Sequence, residues 1–244
     1  MVKNLNTTDQ GRNVRHGHQA GYLNQGDSAV AIGEGAGYTS QGTNAVAIGK
    51  NAGANSQGIS SIAVGTYSAN HTQGNNSIAI GTYDAFSEQG NNCIAIGGAS
   101  GQDTQSDSAI AIGTSSGRVN QGRLSIAIGG DAGRSSQGEY SIAIGHQAGY
   151  TTQNTQTIVL NATGTELNAS NTGSCYIKPI RFLDTLNANV LTYIPETGEV
   201  VDSNAITFRA GSTLVGINNS NPTHTLDVGQ HLSVNNSGGT TNVL

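Results

Sequence analysis

QGTNAVAIGKNAG, residues 41–53, sets a short apolar run between two glycine-bearing, charge-poor turns. The run recurs along the chain. The glycine that follows it is Gly17, Gly33, Gly49, Gly65, Gly81, Gly97, Gly113, Gly129 and Gly145, a spacing of 16 each time. Nine units without insertion therefore cover residues 17–160, with the consensus G-x-x-A-G-x-x-x-Q-G-x-x-S-I-A-I. Positions below are counted from this glycine. Residues 10–17 read as a degenerate unit one residue short, and Asn161 stands where the next glycine would fall. Such atypical ends suit the capping of a repeat array.

The composition agrees with a repeat protein. Of 244 residues 35 are glycine, and only 10% are charged. Ordinary globular chains are about a quarter charged. The net charge of −5 is spread thinly and forms no basic stripe, so nucleic acid is not an expected partner. No apolar run reaches the length of a membrane span, and the first ten residues, MVKNLNTTDQ, contain no signal-peptide core. Membrane insertion and a signal peptide are therefore not expected. The two cysteines, Cys93 and Cys175, make no disulfide framework.

Glycine-rich units without a 3.6-residue apolar period disfavour helix. One β-run and two glycine corners per 16 residues suit one coil of a β-solenoid. Coils stacked about 4.8 Å apart would make nine units roughly 43 Å long. Side chains alternate faces along a strand. Positions fourteen and sixteen are large and apolar, so Ile48, Ile62, Ile78, Ile80, Ile94, Ile96, Ile112, Ile128 and Ile144 are expected to form the structural core. Position fifteen is small, and Ala47, Ala63, Ala79, Ala95, Ala111, Ala127 and Ala143 are then expected to point outward. A small, uncharged outer face suits close approach of a second backbone. It predicts an inter-chain face in a closed ring of identical chains. Position nine is glutamine in every unit. Gln41, Gln57, Gln73, Gln89, Gln105, Gln121 and Gln137 are expected to stack as an amide ladder.

The NSIAIG and AVAIG runs with AxAG-type turns resemble the head repeats of YadA-like trimeric autotransporter adhesins. That resemblance implies a trimeric left-handed parallel β-roll. The longer 16-residue form, with QG before the strand, is similar to repeats in tail and head fibres of bacteriophages and large DNA viruses. Residues 214–234, LVGINNSNPTHTLDVGQHLSV, resemble a segment of viral fibres that often precedes an intramolecular chaperone cut off after assembly. The resemblances imply an all-β homotrimer: residues 1–16 as cap or attachment segment, 17–160 as the roll, and 161–244 as a β-rich domain that knits the trimer or faces a receptor. The implied partners are further copies of the chain, other virion proteins and a host cell-surface glycan or protein. The implied location is the virion surface. A bacterial adhesin head is the alternative. An ice-binding solenoid, similar in its 16-residue period, would need an outward threonine row that these units lack.

Candidate strands beyond the repeats are 174–180, 190–194, 199–202, 205–208, 213–217, 224–228 and 231–234. No catalytic set assembles, and no enzyme activity or cofactor is expected. Gly113-Thr114-Ser115-Ser116-Gly117 matches G-x-S-x-G, but it is positions one to five of a repeat. Gly33-Glu34-Gly35-Ala36-Gly37 lacks the βαβ setting of a nucleotide loop. His16 and His18 could meet a metal on a trimer axis, yet two-residue spacing alone specifies none.

Overall fold

The computed structural model of the chain describes residues 12–180, 188–208, 215–217 and 226–228. Every helix or strand among them is a strand, and the fold is an all-β parallel solenoid followed by a small sheet. Two compact units separate at Met1–Ile180 and Arg181–Leu244.

In the first unit each repeat after the first gives one strand to each of two parallel sheets, and the first adds a strand to one sheet and the single bridge Leu23–Thr39 to the other. One sheet has eleven strands, from Val14–His16 to Cys175–Lys178. The other has nine, from Thr39–Gln41 to Leu167–Ala169. Register is kept by the period itself, so Ile62 pairs with Ile78 and Ile78 with Ile94. The glycine corners make this stacking possible. A Cβ on Gly65 would lie 2.0 Å from the carbonyl oxygen of Gly81, and one on Gly74 would lie 2.4 Å from that of Gly90. Glycine lets successive backbones close to ladder distance at these corners, while Ser106 and Asn154 take the second corner in two coils.

The interior reverses the expected strand orientation. Ala47, Ala63, Ala79, Ala95, Ala111, Ala127 and Ala143 are all at 0% exposure and form the core of the coil, not its outer face. Ile48, Ile62, Ile78, Ile80, Ile94, Ile96, Ile112, Ile128 and Ile144 point outward and are half-buried or exposed, so they are not the core. The physical reason is the width of the lumen. Ordinary stacked sheets stand about 10 Å apart with large side chains between them. Here a Cβ on Gly117 or Gly133 would come within 3.1 Å of the Cβ of Ala111 or Ala127 across the coil. Methyl groups fill that gap, and an isoleucine has no room in it.

The two sheets continue past Leu160. Leu167–Ala169 joins the second sheet, and Cys175–Lys178 pairs with Ile158–Asn161 in the first. Asn161 replaces the corner glycine with side-chain bonds, its Nδ2 donating to the carbonyls of His146 (2.8 Å) and Thr165 (2.6 Å). The second unit pairs Ala188–Ile194 antiparallel with Glu199–Phe208. Val215–Ile217 adds antiparallel, and Leu226–Val228 adds parallel to that. The strands expected at 199–202 and 205–208 are one ten-residue strand. The candidate at 231–234, like residues 1–11 of the expected cap, lies outside the described residues.

Candidate association face and outer surface

Turning alanine inward places two columns of branched apolar side chains on the outside of the eleven-stranded sheet. Position fourteen runs from Val30 and Val46 through Ile62, Ile78, Ile94, Ile110, Ile126 and Ile142 to Ile158. Position sixteen runs from Ile32 through Ile80 and Ile128 to Leu160. Pairing extends the columns at both ends, with Val14 and His16 below Val30 and Ile32, and Cys175 and Ile177 above Ile158 and Leu160. Ile144 keeps 40% of its surface exposed and Ile177 47%. Solvated sheet faces usually alternate to polar residues. A continuous apolar face of nine rungs, from Val30 and Ile32 to Ile158 and Leu160, is the kind of surface that another protein covers.

The glutamines act inside the coil. Gln41, Gln57, Gln73, Gln89, Gln105, Gln121 and Gln137 are buried. Each sends Nε2 across the lumen to a position-fourteen carbonyl of the preceding coil. Gln41 reaches Val30, Gln57 Val46 and Gln121 Ile110, each at 2.8 Å. Amide-to-amide links also form, as from Gln89 to Gln105 (3.0 Å), Gln105 to Gln121 (3.1 Å) and Gln137 to Gln153 (3.1 Å). The cross-lumen bond ties the two sheets together, a role that sequence spacing did not reveal. Glycine at position five makes space for the amide. A Cβ on Gly53 would lie 2.7 Å from Oε1 of Gln57.

Two coils depart from the pattern. Position four is alanine or serine elsewhere, but in the coil from Gly81 it is Asp84, fully buried. Its carboxylate accepts the backbone N–H groups of Gly97 (2.9 Å) and Ser100 (2.7 Å). Burial nonetheless pushes its pKa up to about 6, against the lowering effect of those two amides. Position five is Ala69 and Ala85 in the coils from Gly65 and Gly81, where the other seven have glycine. The same two coils carry an aromatic cluster outside. The Tyr67 and Tyr83 rings stack at 5.1 Å, Phe86 lies 5.5 Å from Tyr83, and His71 meets Phe86 edge-on at 5.0 Å. The signal that could have located this cluster was the loss of glycine at position five.

Other sequence candidates stay apart. Gly113, Thr114, Ser115, Ser116 and Gly117 form the corner of a coil, not a strand-to-helix elbow. His16 ends an exposed strand and His18 sits in the following turn. Among the described residues no three metal-binding side chains gather. Cys93 is buried in the position-thirteen column, where burial pushes its thiol pKa up to about 11, and Cys175 is exposed. Among the described residues no helix is long and apolar enough to cross a membrane.

The family model of the YadA head domain repeat matches the chain twice, over residues 40–68 and 69–83. No curated protein and no solved structure matches the chain. The matched residues lie within the solenoid, so these coils are similar to the repeats of an adhesin-type surface head.

Proposed function

We propose that the chain is a homotrimeric surface-attachment protein without catalysis, assembled through its isoleucine face. The observation that carries this reading is the unbroken pair of apolar columns on one sheet. Three such faces turned to a common axis would remove them from water without any charged group to bury. Three copies would also multiply weak contacts with a cell-surface glycan or protein. In the finer form of the proposal the trimer is a virion fibre that also contacts other virion proteins. The fibre-like segment at 214–234 supports it. A bacterial adhesin head is the second reading, favoured by the YadA head match.

Native mass spectrometry of the purified chain tests the assembly. A mass of three chains is expected, and Ile128→Lys with Ile144→Lys should reduce it to one chain with the β-rich circular dichroism intact. A single-chain mass for the unsubstituted protein would overturn the reading.

A further inference from the structure

In seven of the nine coils position three carries no aromatic residue. The coils from Gly65 and Gly81 place Tyr67 and Tyr83 at position three, and the latter adds Phe86 at position six. Both tyrosines sit at positive φ, 57° and 58°. Most other coils put glycine, asparagine, serine, aspartate or glutamine there. Position three takes positive φ in every coil, so this conformation belongs to the repeat and the rings are what set these two coils apart.

The shape of the cluster is specific. The two tyrosine rings stack coil on coil with planes 9° apart. In the next coil position three falls to Ala99 and position two to Gly98, around whose Cβ position nothing lies within 4 Å. The stack therefore ends in an open step. The face of Tyr83 turned away from Tyr67 looks over that step, with Phe86 tilted beside it at 58°. Tyr83 is 42% exposed, so the ring is free to be covered.

We propose that Tyr83, with Phe86 beside it, is a contact site for one ring of a neutral carbohydrate. The C–H face of a pyranose is apolar and flat and lies well on an aromatic ring, while its edge hydroxyls need polar neighbours. The rim supplies them from Thr82 at position two and from Gln102 at position six of the next coil, whose Oε1 accepts from Arg118 Nε at 2.8 Å. Lys50, at position two of the coil before the cluster, is paired with Glu34 at 3.3 Å. A sialylated or sulfated sugar would need a free cation at the step; Arg118 is engaged by Gln102, and Asp103 beside it, bonded to Ser87, carries the opposite charge. The inference rests on the attachment reading above and names the class of partner.

The test uses the full chain and immobilised neutral oligosaccharides ending in galactose, glucose, mannose or N-acetylglucosamine, with sialyllactose beside them. At least one neutral sugar should be bound. Tyr83→Ala should weaken that binding about tenfold or more, as loss of a central aromatic contact does. Phe86→Ala should weaken it less. Tyr140→Ala, which removes an exposed tyrosine elsewhere on the rod, should leave it unchanged. Binding to none of the neutral sugars, binding to sialyllactose alone, or equal binding by Tyr83→Ala would overturn the proposal. Native mass spectrometry on the same samples separates the two readings. A trimer that ignores neutral sugars sinks this site alone. A monomer that binds them through Tyr83 keeps the site and sinks the trimer.

Discussion

Neighbouring residues on one strand have opposite duties. Ala79 lies in the closed lumen and Ile80 on the outer face. Ala79→Lys would force an ammonium group into a space that holds only methyls. We expect it to cost about 4 kcal/mol or more and to lose the cooperative thermal transition. Ile80→Lys should keep that transition in the single chain and weaken only assembly, which size-exclusion chromatography would read. Gln105 gives Nε2 to the carbonyls of Ile94 (2.9 Å) and Ala109 (3.1 Å) and to Oε1 of Gln121 (3.1 Å). Gln105→Ala leaves buried acceptors without their donor and should cost about 1–3 kcal/mol in denaturant unfolding. Asp84 gives a pH signature. Its folded pKa is raised from 3.8 to about 6, so the native state holds the proton more tightly than the unfolded chain. That contribution is full below the unfolded value and is lost as pH rises through about 6. Asp84→Ser, which matches Ser68 and Ser100 in the adjacent coils, should therefore gain stability relative to the parent between pH 4 and pH 7. A constant difference across that range would refute the buried-carboxylate account.

The working element is the coil, not the strand. Strands of three residues are too short to stand alone, and each is held by the coils on either side. Corners decide whether coils can stack. Gly74→Ala would put a methyl 2.4 Å from the carbonyl oxygen of Gly90. The coils next to it should open locally. Hydrogen exchange is expected to quicken at residues 58–90 and to stay slow near Ile126–Ile128, because the array transmits strain only to neighbours. Uniform quickening along the rod would mean a more cooperative unit than this. The 16-residue period, the corner glycines and the existence of the coil were all legible in the sequence, since each is a local rule repeated nine times. The bond from Gln41 across the lumen to Val30 was not, because its partners are 11 residues apart on opposite sheets.

At the scale of the whole molecule one surface dominates. Its two columns stay apolar from Val14 to Ile177, interrupted only by His16 and Cys175 at the end rungs. If this face is shared by three chains, dilution alone should not dissociate them, and unfolding should depend on concentration as folding and assembly couple. Melting measured over a hundredfold range of protein concentration checks this. A midpoint that does not move would argue for a stable lone solenoid.

The sequence by itself determined the period, the all-β class, the glycine corners and the alternation of large and small residues along the strand. Those depend on contacts between a residue and its copy 16 places away. It did not determine which of the two alternating faces lies inside. A period of two is symmetric, and hydrophobicity pointed to isoleucine. Only the tertiary structure decided it, through the width of a lumen closed by 16 residues. Ala111 and Gly117 face each other there across a gap that a methyl already fills. With alanine inside, the isoleucines are left outside, and the face expected to be the core becomes the surface offered to partners.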